Sequence, residues 1–141
     1  MKKLFGSFIG GRAALGLLII RVVVGAALMF HGWGKIKTPF SWMPPDAPIP
    51  GFLQFLAAFS EFGGGLALII GLLTPIAAFG IACTMAFAAF GVHIRAGQPF
   101  VSMTGGPSYE LAAVYLATAL LVIFAGPGKL SLDSLIFGKK V

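Results

Sequence analysis

Five ionisable residues lie inside or at the ends of long apolar runs, where surrounding lipid would penalise a charge. They are Arg21, His31, Glu61, His93 and Glu110. A charged side chain at the centre of a bilayer costs roughly 2.5–3.5 kcal/mol on insertion scales. Such residues therefore face the interior of a protein, pair with one another or line a polar cavity. This pattern predicts a membrane protein with an internal polar site.

The composition agrees with a membrane protein. Of the 141 residues, 58% are hydrophobic and only 10% are charged, and the charged share is less than half of that in ordinary soluble domains. The mean hydropathy of +0.99 fits an integral membrane protein. The length suits a single domain, residues 1–141, without an appended soluble enzyme.

Four apolar runs have roughly the length that a helix needs to cross a bilayer core of about 30 Å. They cover residues 13–36, 52–73, 75–94 and 109–125. Several prolines between residues 38 and 50 exclude a regular helix there, so this segment is predicted to be a loop outside the membrane. Because the alternating pattern of membrane β-strands is absent, the predicted fold is all-α, a transmembrane four-helix bundle.

The basic residues predict which side of the membrane holds the ends of the chain. Four spans place both termini on one side, and the basic residues there are Lys2, Lys3, Arg12, Lys129, Lys139 and Lys140. The other side holds Lys35, Lys37 and Arg95. Because basic residues are enriched on the cytoplasmic side, both termini are predicted to be cytoplasmic, and the proline-rich loop periplasmic. The net charge of +6 is then explained by topology and lipid headgroups, so the lipid bilayer is the expected partner and nucleic acid is not.

On each span, helical periodicity aligns an ionisable residue with small residues on one face. The four stripes are Arg21, Gly25, Leu28 and Gly32; Gln54, Ala57, Glu61, Gly65 and Leu68; Ala82, Ala86, Ala89 and His93; and Glu110, Ala113, Ala117 and Leu121. Small residues allow helices in lipid to approach closely. These stripes are therefore predicted to be the inward faces.

Depth along the spans predicts which polar residues meet. At about 1.5 Å per residue, Arg21 and Glu61 both fall near mid-membrane, so a charge-assisted pair between them is predicted. Such a pair either fastens two helices or takes part in binding a ligand or a proton. His31, His93 and Glu110 fall toward the outer ends of their helices, where they could relay protons, take part in quinone-type chemistry, bind a metal or haem, or serve a structural role. No local spacing supports a metal motif, so metal and haem are disfavoured.

Two further residues have ordinary interpretations. Lys35 directly follows the first span and is interpreted as a lysine that snorkels to the interface. Cys83 is the sole cysteine, which excludes an intrachain disulfide and a thiol-based metal cluster. It is interpreted as a small buried hydrophobe, with a redox-active thiol as the alternative.

Four segments, taken in order, resemble the DoxX family of small bacterial and archaeal membrane proteins. They are Arg21, Gly25 and Phe30-His31-Gly32-Trp33-Gly34-Lys35; Glu61-Phe62-Gly63-Gly64-Gly65; Gly71-Leu72-Leu73-Thr74-Pro75; and Gly126-Pro127-Gly128-Lys129-Leu130-Ser131-Leu132-Asp133. The resemblance extends from about residue 15 to residue 133. The sequence departs from the family at Pro75, where a basic residue often follows the threonine.

The resemblance implies a four-helix, multi-pass protein of the inner (plasma) membrane that belongs to a redox system. Some members are associated with quinone-linked sulfur oxidation or with oxidative-stress complexes. A quinone-like ligand and a partner redox enzyme are therefore implied, while the cofactor itself is left open. The alternatives are a non-catalytic membrane scaffold for a partner enzyme and a small transporter subunit, which would need to form a homo-oligomer because its spans are few.

Overall fold

The computed structural model describes residues 8–138 and is helical throughout, with no β-strand in that range. The elements are α1 (Gly11–Lys37), α2 (Gly51–Ile70), α3 (Thr74–Ala86), a π-helical segment (Phe87–Ile94) that continues α3, α4 (Glu110–Ala125) and the short α5 (Leu132–Phe137). The all-helical prediction is confirmed. Three helices, Gly11–Lys37, Gly51–Ile70 and Thr74–Ile94, are long and apolar enough to cross a membrane, and α4 is a shorter apolar helix.

Helices that are consecutive in the chain pack against each other: α1 lies along α2, α2 packs on α3, and α3 packs on α4. The shared core contains fully buried aliphatic side chains from each of these helices, namely Leu28, Leu68, Ile81 and Val122. The predicted inward face of α1 is buried as expected. The predicted face of α4 is wrong, because its buried residues are Ala112, Tyr115, Thr118, Ala119 and Val122, whereas Glu110 and Leu121 are exposed.

The contact between α1 and α2 depends on glycines. A Cβ atom built on Gly25 would lie 2.6 Å from the carbonyl oxygen of Gly65, and one built on Gly65 would lie 2.6 Å from the carbonyl oxygen of Gly25. Further along, a Cβ on Gly32 would lie 2.7 Å from the backbone nitrogen of Phe62. The two backbones therefore touch, and the pairing of 25 with 65 and of 32 with 62 shows that α1 and α2 run antiparallel.

We expect Gly25→Ala to destabilise the protein by about 1–3 kcal/mol, the usual effect of overpacking a tight interface. Gly34→Ala is the matched control on the same helix, because a Cβ there meets nothing within 4 Å. The apparent thermal midpoint in detergent measures both. Equal midpoints for the two variants would contradict the tight contact.

The turn between α2 and α3 is held by a residue from the far end of the chain. Gly71 ends α2 with a φ of 70°, and Leu73 adopts a φ of 48°, which L-residues rarely take. The fully buried Asp133 accepts hydrogen bonds from the backbone N–H of Leu73 at 2.7 Å and of Thr74 at 2.8 Å. Its carboxylate thus satisfies free N–H groups at the start of α3 and stabilises the strained turn.

Asp133→Asn should cost about 1–3 kcal/mol of stability, because a neutral amide replaces the charged acceptor and leaves one buried N–H without a good partner. The change removes one acidic group, and Asp46→Asn does the same at an exposed loop position. Thermal unfolding of both variants in the same detergent separates the loss of this contact from the loss of a charge. A midpoint for Asp133→Asn that matches Asp46→Asn would contradict the role of Asp133.

Candidate functional site

A cavity of about 280 Å³ lies where α1, α2, α3 and the proline-rich loop meet. Most of its lining is apolar, with the side chains of Lys35, Gln54, Glu61 and Thr84 providing the polar groups. Ligand sites of small molecules are typically concave and apolar with a few polar groups that fix orientation. This cavity is therefore the candidate site.

A buried ion pair is the main polar feature of the cavity. The Nζ of Lys35 lies 2.6 Å from both carboxylate oxygens of Glu61. The Glu61 side chain is 4% exposed and that of Lys35 is 27% exposed, so the pair is shielded on the glutamate side and reachable on the lysine side. A buried carboxylate needs such a partner, because removing an ion from water costs several kcal/mol.

The helix register explains why these two residues meet. Gly32 sits directly against the backbone of α2 at Glu61 and Phe62. Lys35 follows Gly32 by almost one turn, and helical side chains point back toward the N-terminus of their own helix. The Lys35 ammonium is thereby directed to the level of Glu61.

The proline-rich loop is fixed over the cavity by Gln54. The indole N–H of Trp42 donates to the Gln54 carbonyl oxygen at 2.9 Å, and the Met43 N–H donates to Gln54 Oε1 at 3.0 Å. The Gln54 side-chain amide in turn donates to the Ile49 carbonyl oxygen at 3.0 Å. The ammonium of Lys35 lies 4.7 Å from the centroid of the Trp42 ring, close enough for a cation–π interaction.

The remaining wall comes from α3 and the π-helical segment. Cys83, Thr84, Phe87 and Val92 line it. Cys83 is exposed, so its interpretation as a buried hydrophobe is wrong. The Thr84 hydroxyl donates to the Gly80 carbonyl oxygen at 3.0 Å within its own helix, so its oxygen can act only as an acceptor toward a ligand.

Arg21 does not pair with Glu61, so that prediction is wrong. Its guanidinium is fully buried, and its hydrogen bonds within residues 8–138 go to backbone carbonyl oxygens. These belong to Leu68 at 2.9 Å, Ile69 at 3.4 Å, Leu130 at 3.1 Å, and Pro127. Arg21 is fourteen positions from Lys35 on α1, about 21 Å along the helix axis. Arg21 and the Lys35–Glu61 ion pair therefore form separate centres, one at each end of the α1–α2 pair.

In the part of the chain that the structure describes, no hydrogen bond, ion pair or ring contact joins His31, His93 and Glu110 to one another. His31 is exposed and its ring makes an edge contact with Tyr115, with centroids 5.9 Å apart. His93 Nδ1 contacts the side-chain amide oxygen of Gln98. Glu110 is exposed in the first turn of α4, where the helix dipole favours a carboxylate. Within residues 8–138, no group of three or more His, Cys, Asp or Glu side chains could hold a metal ion.

Sequence reasoning did not name Lys35, Trp42, Gln54 or Cys83 as site residues, although all four line the cavity. A signal was present for two of them. Lys35 continues the glycine stripe of α1, and Gln54 begins the stripe that contains Glu61. The interpretation of Lys35 as a snorkelling interface residue is incorrect, because its ammonium is bound to Glu61.

Comparisons with known proteins agree with this architecture. The sequence profile of the DoxX family matches residues 16–94. The Inner membrane protein YqjF of Escherichia coli is 30% identical over 86% of this chain and 92% of its own length. An uncharacterized protein of Haemophilus influenzae is 32% identical over 87% of this chain and 92% of its own.

A more distant relative carries a functional name. It is the Bacillus subtilis protein named "Putative oxidoreductase CatD", 28% identical over 89% of this chain and 91% of its own length. No solved structure matches the chain significantly. The family profile matches more than half of the chain, the relative from the inner membrane aligns over nearly its whole length, and several apolar helices are long enough to span a membrane. The chain is therefore a multi-pass inner-membrane protein that belongs to the DoxX family.

Proposed function

We propose that this chain is an oxidoreductase-associated subunit of the inner membrane, and that its cavity binds the polar head of a quinone-type molecule. The observation that carries the proposal is the Lys35–Glu61 ion pair inside a largely apolar cavity. The name of the Bacillus subtilis relative agrees with a redox role. A partner redox enzyme supplies or accepts the electrons in this proposal.

The ion pair offers the two polar functions that such a head requires. An ammonium group has three donors, so Lys35 can hold Glu61 and still donate a hydrogen bond to a quinone carbonyl oxygen. The Glu61 carboxylate can accept a hydrogen bond from the hydroxyl group of the reduced form. Hydrogen bonds to charged groups contribute about 1.5–3 kcal/mol each, which is enough to orient a single head in an apolar cavity.

The size of the cavity restricts the class of ligand. Sites for drug-sized ligands usually measure about 300–1,000 Å³, and this cavity of about 280 Å³ lies just below that range. It suits one substituted ring more readily than a dinucleotide or a flavin nucleotide. A quinone head is such a ring, and its apolar remainder would lie outside the cavity.

The proposal includes a topology. The three long helices and the shorter α4 form a transmembrane bundle in one domain, with both termini cytoplasmic and the loop of residues 38–50 on the periplasmic side. Three basic loop or helix-end residues, Lys35, Lys37 and Arg95, then face the periplasm, and the larger number near the termini faces the cytoplasm. A C-terminal green fluorescent protein fusion should fluoresce and a C-terminal alkaline phosphatase fusion should be inactive; the opposite result would reverse the topology.

The test of the ligand combines detection with a matched substitution. Protein purified in mild detergent should carry a co-purifying quinone by mass spectrometry, and decylubiquinone should quench the fluorescence of Trp42 in a Trp33→Phe background. Glu61→Gln should weaken that binding by about tenfold or more, since one charged acceptor is lost. Glu110→Gln is the control, because Glu110 is exposed and does not line the cavity.

Two results together would overturn the proposal. One is purified protein without any quinone and without quenching by decylubiquinone. The other is Glu61→Gln protein that keeps full partner-dependent redox activity in membranes.

A further inference from the structure

We infer that the cavity is loaded sideways from the bilayer, through the gap between α2 and the π-helical segment. Its ligand is accordingly a lipid-dissolved molecule with one polar head and an apolar remainder. The inference rests on the proposed function only in naming a quinone as the probe. The route itself is inferred from three features of the cavity: an apolar rim on the lipid side, an end covered by the proline-rich loop, and an ion pair at the inner end.

The rim on the lipid side consists of exposed apolar side chains. Leu53 and Leu56 on α2, and Phe87 and Val92 on the π-helical segment, all line the cavity and are 41–49% exposed. Both elements belong to helices long and apolar enough to span the membrane. The surface that these four residues expose therefore contacts acyl chains, and the gap between them opens into lipid.

The π-helical geometry itself shapes this rim. Hydrogen bonds from residue i to i+5 widen each turn of the helix, and Phe87 and Val92, which are five residues apart, both line the cavity. In a regular α-helix the same two residues would lie on different faces, because the repeat is 3.6 residues. Short π-helical segments in otherwise α-helical elements occur frequently at functional sites.

The end of the cavity under the proline-rich loop is closed. Trp42, Met43 and Ile49 cover it, and three hydrogen bonds to the single residue Gln54 hold them in place. The same loop is fastened by Phe40, whose ring stacks on Phe55 with centroids 5.1 Å apart. A ligand arriving from water would have to break these contacts, whereas one arriving from lipid would not.

The cavity is polar at its inner end and apolar at the rim that faces lipid, as entry from the bilayer requires. Glu61 is only 3% exposed and lies at the inner end with Lys35, while the rim carries no charged group. A ligand that entered through the rim with its polar head first would reach the ion pair and leave its apolar part among the acyl chains. This arrangement favours an alkyl- or isoprenoid-tailed head over a small water-soluble molecule.

Cys83 allows a direct test in the natural sequence, since it is the single cysteine and lines the cavity. The full chain is reconstituted in phosphatidylcholine vesicles and labelled at Cys83 with bimane. Lipids carrying a nitroxide on the acyl chain should quench the bimane fluorescence strongly, and aqueous iodide should quench it little. Strong quenching by iodide with little quenching by nitroxide lipids would overturn lateral entry, whatever the ligand is.

A second measurement separates a lipid-connected cavity from a cysteine that simply faces lipid. Decylubiquinone should slow the reaction of unlabelled Cys83 with monobromobimane severalfold, and the same quinone without its alkyl tail should do so only at much higher concentration. In Cys83→Ala/Phe90→Cys the new thiol lies on the exposed side of the π-helical segment, away from the cavity. That variant should be quenched by nitroxide lipids but not protected by the quinone.

A rim substitution tests the route itself. Leu56→Phe should slow the onset of protection by decylubiquinone severalfold, whereas Leu66→Phe, an equally exposed change on α2 outside the cavity, should not. Equal onset in both variants would count against the route. Nitroxide quenching at Cys83 without any quinone protection would refute the proposed ligand while supporting the lateral opening.

Discussion

Replacement of Lys35 by methionine is expected to destabilise the protein by about 3 kcal/mol, at the lower end of the range for breaking a buried ion pair. The reason is Glu61, which is 3% exposed and whose carboxyl group would be left buried without its partner. The lower end applies because the Lys35 side chain is 27% exposed, so the pair is only partly buried. The apparent thermal midpoint of purified protein in detergent is the measurement.

The double variant Lys35→Met/Glu61→Met distinguishes stability from function. It should recover most of the lost stability, because an apolar pair of similar volume often replaces a buried ion pair at little cost. It should still fail to bind decylubiquinone, since both polar partners of the head are gone. If the single variant were as stable as the wild type, or if the double variant were no more stable than the single variant, the ion pair would not contribute to stability as expected.

Lys37→Met is the control for this pair of variants. Lys37 is the other lysine in the last turn of α1, it is exposed, and its ammonium lies 5.0 Å from the Trp33 ring rather than near Glu61. Loss of this charge should change stability by less than about 0.5 kcal/mol, as for most surface substitutions. A similar loss in both lysine variants would point to a general effect of charge at this end of α1.

The elements and the inward face of α1 could be predicted from the sequence for clear physical reasons. Long apolar runs identify helices, and Gly25 and Gly32 mark where a neighbouring backbone must approach. The pairing of charges could not be predicted in the same way, because it depends on the register between two helices. The glycine contacts place residue 25 opposite residue 65, so Arg21 reaches the last turn of α2 and Glu61 falls opposite Gly32. The depth of a residue, counted from the end of its own helix, does not reveal how far α1 is shifted along α2.

Two other features were beyond sequence reasoning. α4 is apolar on all sides, so the periodicity that would identify its buried face, with Tyr115 and Ala119, is weak. The π-helical segment changes the phase of the helix that carries Cys83 and Phe87, and nothing in the local sequence signals it. The cavity wall therefore became visible only in the structure, and with it the partnership of Lys35 and Glu61.

Arg21→Met is expected to be at least as destabilising as Lys35→Met, with a loss of about 3 kcal/mol or more. The side chain is 0% exposed and joins the end of α2, through Leu68 and Ile69, to the segment after α4, through Pro127 and Leu130. Each buried carbonyl left without its donor costs about 1–3 kcal/mol. Arg21→Lys should recover only part of the loss, because a compact ammonium cannot reproduce the planar fork of donors.

Arg12→Met is the matched control, since Arg12 lies on the same helix and is exposed; its effect on the thermal midpoint should be small. The variant Arg21→Met/Lys35→Met then tests whether Arg21 and the Lys35–Glu61 ion pair contribute independently to stability. They lie about 21 Å apart along α1, so their losses of stability should add, as they do for sites more than 7–10 Å apart. A clear departure from additivity would mean that the segment held by Arg21 and the cavity around Glu61 are coupled through α2, and the polar centres would then act as one site.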